Sequence, residues 1–173
     1  TLIIEPKIVK GSYGDLLFTA NWKANLNTII FNGNSNTSGE MSSTQVRSDD
    51  SIKLPKNVFA KAGYHFIGWS ISQMGSVKYL DEAIYNAGTE SIINLYAVWK
   101  ANQNTITYHG NGSDDGQMES QIISTGNSDN LHTNLFTKTG YHFVGWSKMK
   151  DGEVAYKENE PYLMGSESNY NLY

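Results

Sequence analysis

The chain has 173 residues, of which 39% are apolar and 17% are charged, and it carries a net charge of −4 with no cysteine. This composition excludes a disordered polyelectrolyte and a membrane-spanning protein, and the lack of cysteine excludes disulfides and thiolate metal sites. Lys and Arg are scattered singly and form no basic stripe, so nucleic acid is not expected as a partner.

The chain opens on a fragment that ends in a strand pattern. Residues 1–10 have neither the basic start nor the long apolar stretch of an export signal, and residue 1 is not Met. We therefore expect the chain to be an excerpt of a longer protein. Residues 16–22 are mostly apolar and predict a strand that ends at Trp22.

The next residues predict a β-hairpin with a long loop. Residues 27–31 are rich in β-favouring side chains, and Ile29 and Phe31 fall on one face, which we predict to be the core side. Residues 32–39 supply the Gly, Asn and Ser of a turn region. Gln45 and its neighbour Val46 then mark the second strand of the hairpin.

The strongest strand pattern follows an irregular stretch. Residues 54–61 show no clear hydrophobic period, so the pattern does not decide whether they form one short helical turn. Residues 63–70 read Gly-Tyr-His-Phe-Ile-Gly-Trp-Ser, are apolar on both faces and predict a central strand. Residues 79–88 form either a helical turn or an ordered loop, and residues 92–99 predict the closing strand.

The same succession begins again 77 residues later. Residues 22–96 align on residues 99–173 without a gap and are identical at 34 of 75 positions, mostly Gly, aromatic and aliphatic residues. Such self-similarity is the signature of a repeat array. We predict the C-terminal part of a preceding repeat at 1–24, one repeat unit at 25–101, and a second unit with a truncated closing strand at 102–173.

The connections between units predict a fixed arrangement. About four residues separate the terminal Trp of one unit from the first strand of the next, which is too short for a free tether. We therefore expect an elongated rod. The second unit stops at Tyr173, three residues before the position of its terminal Trp, so its closing strand should be clipped or frayed. An exposed closing strand is also a candidate for edge-to-edge pairing between molecules.

Two motifs resemble a known family. Residues 61–69 read Lys-Ala-Gly-Tyr-His-Phe-Ile-Gly-Trp, residues 138–146 repeat this pattern, and residues 95–99 read Leu-Tyr-Ala-Val-Trp. The chain resembles the Listeria–Bacteroides repeat, the internalin B-type repeat of bacterial surface proteins. It departs from the family at Phe18 and Thr19, where Leu-Tyr is usual, and at the missing final Trp. The resemblance implies a mainly β or α+β fold of small β-grasp-like units in tandem, with no known catalytic activity.

No residue pattern predicts catalysis, a cofactor or a metal site. His65 and His142 are equivalent strand positions, which we interpret as packed or half-exposed residues; ligand binding or pH sensing is the alternative. Residues 111–116 mimic the start of an EF-hand loop, but Ile122 stands where a bidentate Glu is needed, so we interpret them as a polar turn. A Lys–Asn isopeptide bond would need a buried Lys beside Asn and an acid, and is not expected.

The aromatic residues divide into two sets. The first set lies on the most apolar strands and is predicted to pack in the core; it consists of Tyr64, Phe66, Trp69 and Trp99. The second set lies in the less regular segments and supplies the candidate partner contacts, namely Tyr79, Tyr85, Tyr156 and Tyr162.

These observations favour a non-catalytic tandem repeat of a bacterial cell-surface or secreted protein, which acts as a stiff spacer and weak interaction surface in adhesion. Its expected partners are adjacent repeats and a host-surface protein or glycan, and the expected location is extracellular or at the bacterial cell surface. The alternative is a dedicated glycan- or host-protein-binding module. An ancillary domain of an enzyme is the third possibility, although no residue constellation supports catalysis.

Overall fold

The structure, a computed structural model, describes residues 10–11, 13–15, 17 and 19–173. These residues form strands and connecting loops and contain no helix, so the mainly β prediction is confirmed. It follows that none of them forms a helix able to cross a membrane. The strands, in chain order, are β1 (Leu26–Asn32), β2 (Thr44–Arg47), β3 (Ser51–Lys53), β4 (Tyr64–Ser70), β5 (Ile84–Asn86), β6 (Ile92–Ala101), β7 (Gln103–Tyr108), β8 (Gln121–Ser124), β9 (Ser128–Asn130), β10 (Pro161–Leu163) and β11 (Asn169–Leu172).

The first unit is built on a mixed four-stranded sheet with the order β2-β1-β6-β4. β1 and β2 pair antiparallel, which confirms the predicted hairpin. β1 and β6 pair in parallel, and β6 pairs antiparallel with β4. The short strands β3 and β5 form a separate antiparallel pair. A helical turn was one alternative for residues 54–61 and 79–88, and neither segment contains one. Both form loops, and the second also contains β5.

One prediction about strand position is wrong. β4 was predicted to be central but lies at the edge of the sheet. The closing strand β6 lies inside the sheet. β4 has the apolar pattern of a central strand because residues 78 and 79 cover its outer edge. The backbone N–H of Trp69 donates to the carbonyl of Tyr79 at 2.7 Å, and Lys78 N–H donates to the carbonyl of Trp69 at 2.7 Å.

The core of the first unit surrounds Trp69, whose side chain is 0% exposed. Its ring meets Phe31 at 5.1 Å and Phe66 at 4.9 Å between centroids, both in edge-to-face geometry. Ile29 and Phe31 are buried, which confirms the predicted core side of β1. Each buried aromatic side chain removes on the order of 150–250 Å² from water, so this cluster dominates the stability of a unit without disulfides.

The second unit repeats the core but not the whole sheet. β11, β7 and β8 form a three-stranded sheet, and β9 pairs with β10. β11 pairs in parallel with β7, so the closing strand is short but not frayed. Residues 140–147, predicted to be a strand, form only an isolated bridge at Trp146. The equivalent strand β4 pairs with residues 96–101 of β6, and all but the first of those positions fall after Tyr173 in the second unit.

The opening fragment does not form its predicted strand where it is described. Leu16 and Phe18 lie outside the described residues, as do residues 1–9. Leu17 and residues 19–25 are not in a strand, and Trp22 is 92% exposed. A closing strand needs a first strand on one side and a β4 equivalent on the other, and no described residue pairs with this segment. The three predicted segments, residues 1–24, 25–101 and 102–173, stay predictions.

A glycine permits the close approach that covers β4. The pairing of β4 with β6 shifts register between Phe66 and Gly68, and Gly68 has a φ of +143°. A Cβ at this position would lie 2.6 Å from the carbonyl oxygen of Tyr79 and 2.6 Å from a methyl of Val77. The equivalent Gly145 has a φ of +144° and the same close approach, to Tyr156.

Replacement of Gly68 by Ala should therefore destabilise the first unit. We expect Gly68→Ala to lower its free energy of unfolding by about 1–3 kcal/mol, because the methyl group displaces the backbone of Tyr79 from β4. Gly88→Ala is the matched control, since a Cβ there meets nothing within 4 Å. Urea unfolding followed by tryptophan fluorescence measures both variants, and equal stability of the two would contradict the role given to Gly68.

Candidate interaction sites

Three of the four histidines take part in structural contacts. The described residues contain no group of three or more His, Cys, Asp or Glu side chains placed to hold a metal ion. His65 and His142 are exposed, which corrects the prediction of packed or half-exposed side chains. The ring of His109 stacks on Tyr173 at 4.6 Å, and that of His132 stacks on the Tyr108 ring at 5.4 Å between centroids.

The loop that resembles an EF-hand is a polar turn whose side chains bond to backbone. The Asn111 amide donates to the carbonyl of Lys150 at 2.7 Å, and the carboxylate of Asp115 accepts from the N–H of Gly116 at 2.7 Å. The carboxylate of Asp114 accepts a hydrogen bond from the backbone of Thr139, which lowers the pKa of Asp114. Both carboxylates therefore accept hydrogen bonds from the protein backbone.

The aromatic residues predicted for the core lie there with one exception. Trp69 is buried, and Phe66 and Trp99 pack against the same core cluster. Tyr64 is half-buried and belongs to neither core cluster. Its hydroxyl lies next to Gly126 of the second unit, 3.2 Å from the position of a Cβ there. The apolar pattern of β4 placed Tyr64 in the core but could not show that the next unit lies against it.

The four tyrosines predicted to contact a partner form two equivalent pairs. The ring centroids of Tyr79 and Tyr85 are 5.5 Å apart, and those of Tyr156 and Tyr162 are 5.1 Å apart, each pair in edge-to-face geometry. Tyr85 and Tyr162 are buried, whereas Tyr79 and Tyr156 are half-buried. The contact of these tyrosines with a partner stays a prediction. Within each pair, the half-buried residue, Tyr79 or Tyr156, supplies most of the exposed aromatic surface.

Burial changes the acidity of the inner tyrosines. Desolvation raises the pKa of Tyr85, and it raises the pKa of Tyr162 to about 12, with the neighbouring Tyr156 and Tyr170 adding to the shift. The phenol group is therefore held in its neutral form by the core. This is the behaviour of packing residues and not of nucleophiles or bases, which require a lowered or near-neutral pKa.

The junction between the two units depends on Asn102, the single residue between β6 and β7. Its N–H donates to the carbonyl of Gly63 at 2.9 Å, and its carbonyl accepts from the N–H of Thr125 at 2.9 Å. Its side-chain oxygen lies 2.7 Å from Nδ1 of His65. One residue is therefore hydrogen-bonded to both units. The equivalent Asn25 likewise accepts from the N–H of Ser48 at 2.9 Å.

Gly63 brings the two units into close approach. A Cβ on Gly63 would lie 2.5 Å from the methyl carbon of Thr125 and 3.0 Å from the Cα of Ser166. Its φ of +77° also lies in the region that side chains rarely adopt. The repeated Asn and Gly were visible in the sequence, but the sequence did not show that they meet across a junction.

A groove of about 540 Å³ opens on the second unit. Tyr141, Phe143 and Val144 are exposed along it, and Gly110 and Trp146 also line it. In the first unit the corresponding space is filled by the end of β6. The indole N–H of Trp99 donates there to the carbonyl of Gly33 at 2.9 Å, and the Trp99 ring lies 5.7 Å from that of Phe66.

Comparison with known proteins identifies a family and two relatives. The Listeria-Bacteroides repeat domain matches residues 28–98 and 105–173, more than half of the chain. Two proteins of Evansella cellulosilytica are each 27% identical: a "Putative membrane protein" over 88% of this chain and 23% of its own length, and a "Putative Gly-rich membrane protein" over 76% and 15%. The chain thus spans less than a quarter of these curated relatives. No solved structure matches it.

The raised pKa of Tyr162 predicts a loss of stability at high pH. The folded state favours the neutral phenol, so its stabilising effect is complete below the ordinary pKa of 10.0 and is lost as the pH rises from 10 to about 12. We expect Tyr162→Phe to weaken the fall in unfolding midpoint over this range. Thermal unfolding of the variant and the unaltered chain at pH 9, 10, 11 and 12 measures this fall in the unfolding midpoint.

Tyr13→Phe provides the matched control, because the Tyr13 side chain is 97% exposed. It should leave the pH dependence of the unfolding midpoint unchanged. An identical fall in Tyr162→Phe and in the unaltered chain would show that Tyr162 does not carry this dependence.

Proposed function

The chain belongs to the Listeria-Bacteroides repeat family, and from that premise we propose that it is a non-catalytic tandem repeat of a bacterial cell-surface or secreted protein. It acts as a stiff spacer that holds other parts of the protein away from the cell envelope and offers a weak interaction surface in adhesion. The observation that carries this proposal is the junction at Asn102, in which one residue bonds to both units.

The sheet of the first unit supports a β-grasp-like description of the repeat. A hairpin of β1 and β2 lies beside the parallel pair of β1 and β6, and β4 follows antiparallel on the far side. The central parallel pair with antiparallel flanking strands is the arrangement that we propose for every copy. In the second unit the parallel pair of β7 and β11 supports it.

Stiffness follows from the length and bonding of the connection. β6 ends at Ala101 and β7 begins at Gln103, so no flexible segment separates the sheets. A one-residue connection fixed by hydrogen bonds leaves few backbone rotations free between the two units. A flexible linker, in contrast, lets the distance between two units vary over a range that grows as the square root of the linker length. Repetition of the same junction in an array would give an extended rod.

The location and the lack of catalysis rest on separate arguments. The two relatives are named as membrane proteins, which supports a place at the cell envelope for the protein to which this chain belongs. The recurring aromatic residues serve the core and the junction, and three of the four histidines make structural contacts. These features support a scaffold role, because a catalytic site needs reactive groups that converge in one cleft.

A spin-label experiment tests the spacer. The chain has no cysteine, so cysteines introduced at the equivalent exposed positions Val58 and Leu135 carry the labels alone. We expect one narrow distance distribution between the labels. Insertion of Gly-Gly after Asn102 should broaden it roughly twofold or more, because the inserted residues act as a flexible linker.

The same insertion after Met74 is the control, since this side chain is 99% exposed in a turn far along the sequence from the junction. It should leave the distance distribution narrow. A broad distribution in the chain without any insertion would refute the stiff spacer.

A further inference from the structure

The first unit contains a cleft of about 530 Å³ at the end of β1, and all residues that line it lie between positions 31 and 96. Its lining includes the half-buried side chains of Met41, Phe59 and Tyr96 and the exposed side chains of Glu40 and Gln73. We call it the Tyr96 cleft. Sites for small ligands enclose about 300–1,000 Å³ and combine apolar surface with a few polar groups. The Tyr96 cleft has both properties.

Asn34 is fixed in the wall of this cleft by hydrogen bonds. Its side-chain amide donates to the carbonyls of Gln73 at 3.0 Å and Ala97 at 2.9 Å. These two bonds use both amide hydrogens, and no described residue donates to the side-chain oxygen, which is left as an oriented acceptor. A group that is already held in place loses little conformational freedom when a ligand binds, and this favours affinity.

Two further polar side chains of the cleft are available to a ligand. The only salt bridge among the described residues joins Lys53 and Glu82, so the Glu40 carboxylate is unpaired in this part of the chain. Gln73 bonds to Asn34 through its backbone carbonyl, which leaves its exposed side-chain amide available. Together with the Asn34 oxygen, these groups offer both donors and acceptors of hydrogen bonds.

No described ring stacks on Tyr96, whereas the equivalent ring of the second unit is covered on one face. In the second unit, His109 stacks on Tyr173 with 4.6 Å between ring centroids, and its Nε2 lies 2.8 Å from the side-chain oxygen of Asn171. The position equivalent to His109 holds Asn32, which has no ring to stack on Tyr96. Tyr96 therefore keeps aromatic surface toward the cleft.

We propose that the Tyr96 cleft binds a neutral saccharide whose ring packs against Tyr96. A sugar ring presents C–H groups on its faces and hydroxyl groups around its edge, so it matches an aromatic surface flanked by hydrogen-bonding groups. The side-chain oxygens of Asn34 and Glu40 accept from hydroxyl groups, and the Gln73 amide donates to them. Each of these three groups thus gains a partner that the described residues do not supply.

The charge and polarity of the cleft select this class of ligand. Among the described residues that line it, Glu40 carries the only charge, and none of them is a Lys, Arg or His that could pair with the carboxylate or sulfate of an anionic sugar. An apolar peptide segment would bury the oxygens of Asn34 and Glu40 without donors, which costs binding free energy. The proposal rests on the part of the proposed function in which the repeat offers a weak interaction surface, and it gives that surface a ligand class.

NMR titration of the isotopically labelled whole chain with neutral oligosaccharides tests the proposal. The probes are maltotriose, N-acetyllactosamine and triacetylchitotriose, which differ in ring stereochemistry and substituents, each added to about 20 mM so that weak binding is detected. We expect at least one probe to shift the amide signals of residues 32–41 and of Tyr96, with a Kd on the order of 1 mM. Sialyllactose, which carries a carboxylate, should bind at least about tenfold more weakly than the best neutral probe.

Two variants change the Tyr96 ring and its surroundings. Asn32→His introduces the residue that the second unit holds at this position, so the variant should fold normally. Its ring should cover Tyr96 and lower the association constant at least about tenfold. Tyr96→Ala removes the packing surface and should lower the association constant to the same extent. Tyr141→Ala is the control, because its side chain is 73% exposed outside the cleft, and it should leave the association constant unchanged.

The absence of a shift with all three neutral probes would overturn the proposal, as would unchanged binding in both Asn32→His and Tyr96→Ala. Tighter binding of sialyllactose, or loss of binding in Tyr141→Ala, would also overturn it, because either result assigns the ligand to another chemistry or another surface. The label distances that test the spacer are a separate readout. A chain that binds no saccharide but keeps a narrow distance distribution would lose the saccharide site and retain the stiff spacer.

Discussion

Each unit depends on its closing strand, which completes the sheet from within. In the first unit β6 pairs in parallel with β1 on one side and antiparallel with β4 on the other, so two strands rely on it for hydrogen bonds. In the second unit the closing strand β11 pairs with another strand on one side only. β11 still holds β7, but the residues equivalent to β4 form no strand and line an open groove.

The closing strand also determines where the next unit begins. β6 ends one residue before β7, and Asn102 between them is hydrogen-bonded on both sides. Formation of one sheet therefore fixes the start of the following one, which is how nearest-neighbour coupling arises in repeat proteins. The close approach at Gly63 adds a steric constraint to the same junction. The proposed spacer role follows from this one element.

Residue patterns predicted much of the core but little of the surface. Ile29, Phe31 and Trp69 were predicted for the core because alternation and apolar content specify which face of a strand is buried. Tyr85 and Tyr162 were predicted to be surface contacts because they lie in the less regular segments, although both are buried. They lie in loops and very short strands, where no period tells the inner side from the outer, and burial depends on which distant residues cover them.

The sequence by itself determined the repeat and the four strands of the main sheet of the first unit, because duplication and local conformation are recorded in neighbouring residues. Only the tertiary structure decided that β4 lies at an edge, that Asn102 joins two units and that the second unit carries a groove. Each of these depends on pairing between segments 20 or more residues apart. A strand that is apolar on both faces looks the same in sequence whether a neighbouring strand or a folded-back loop covers its edge.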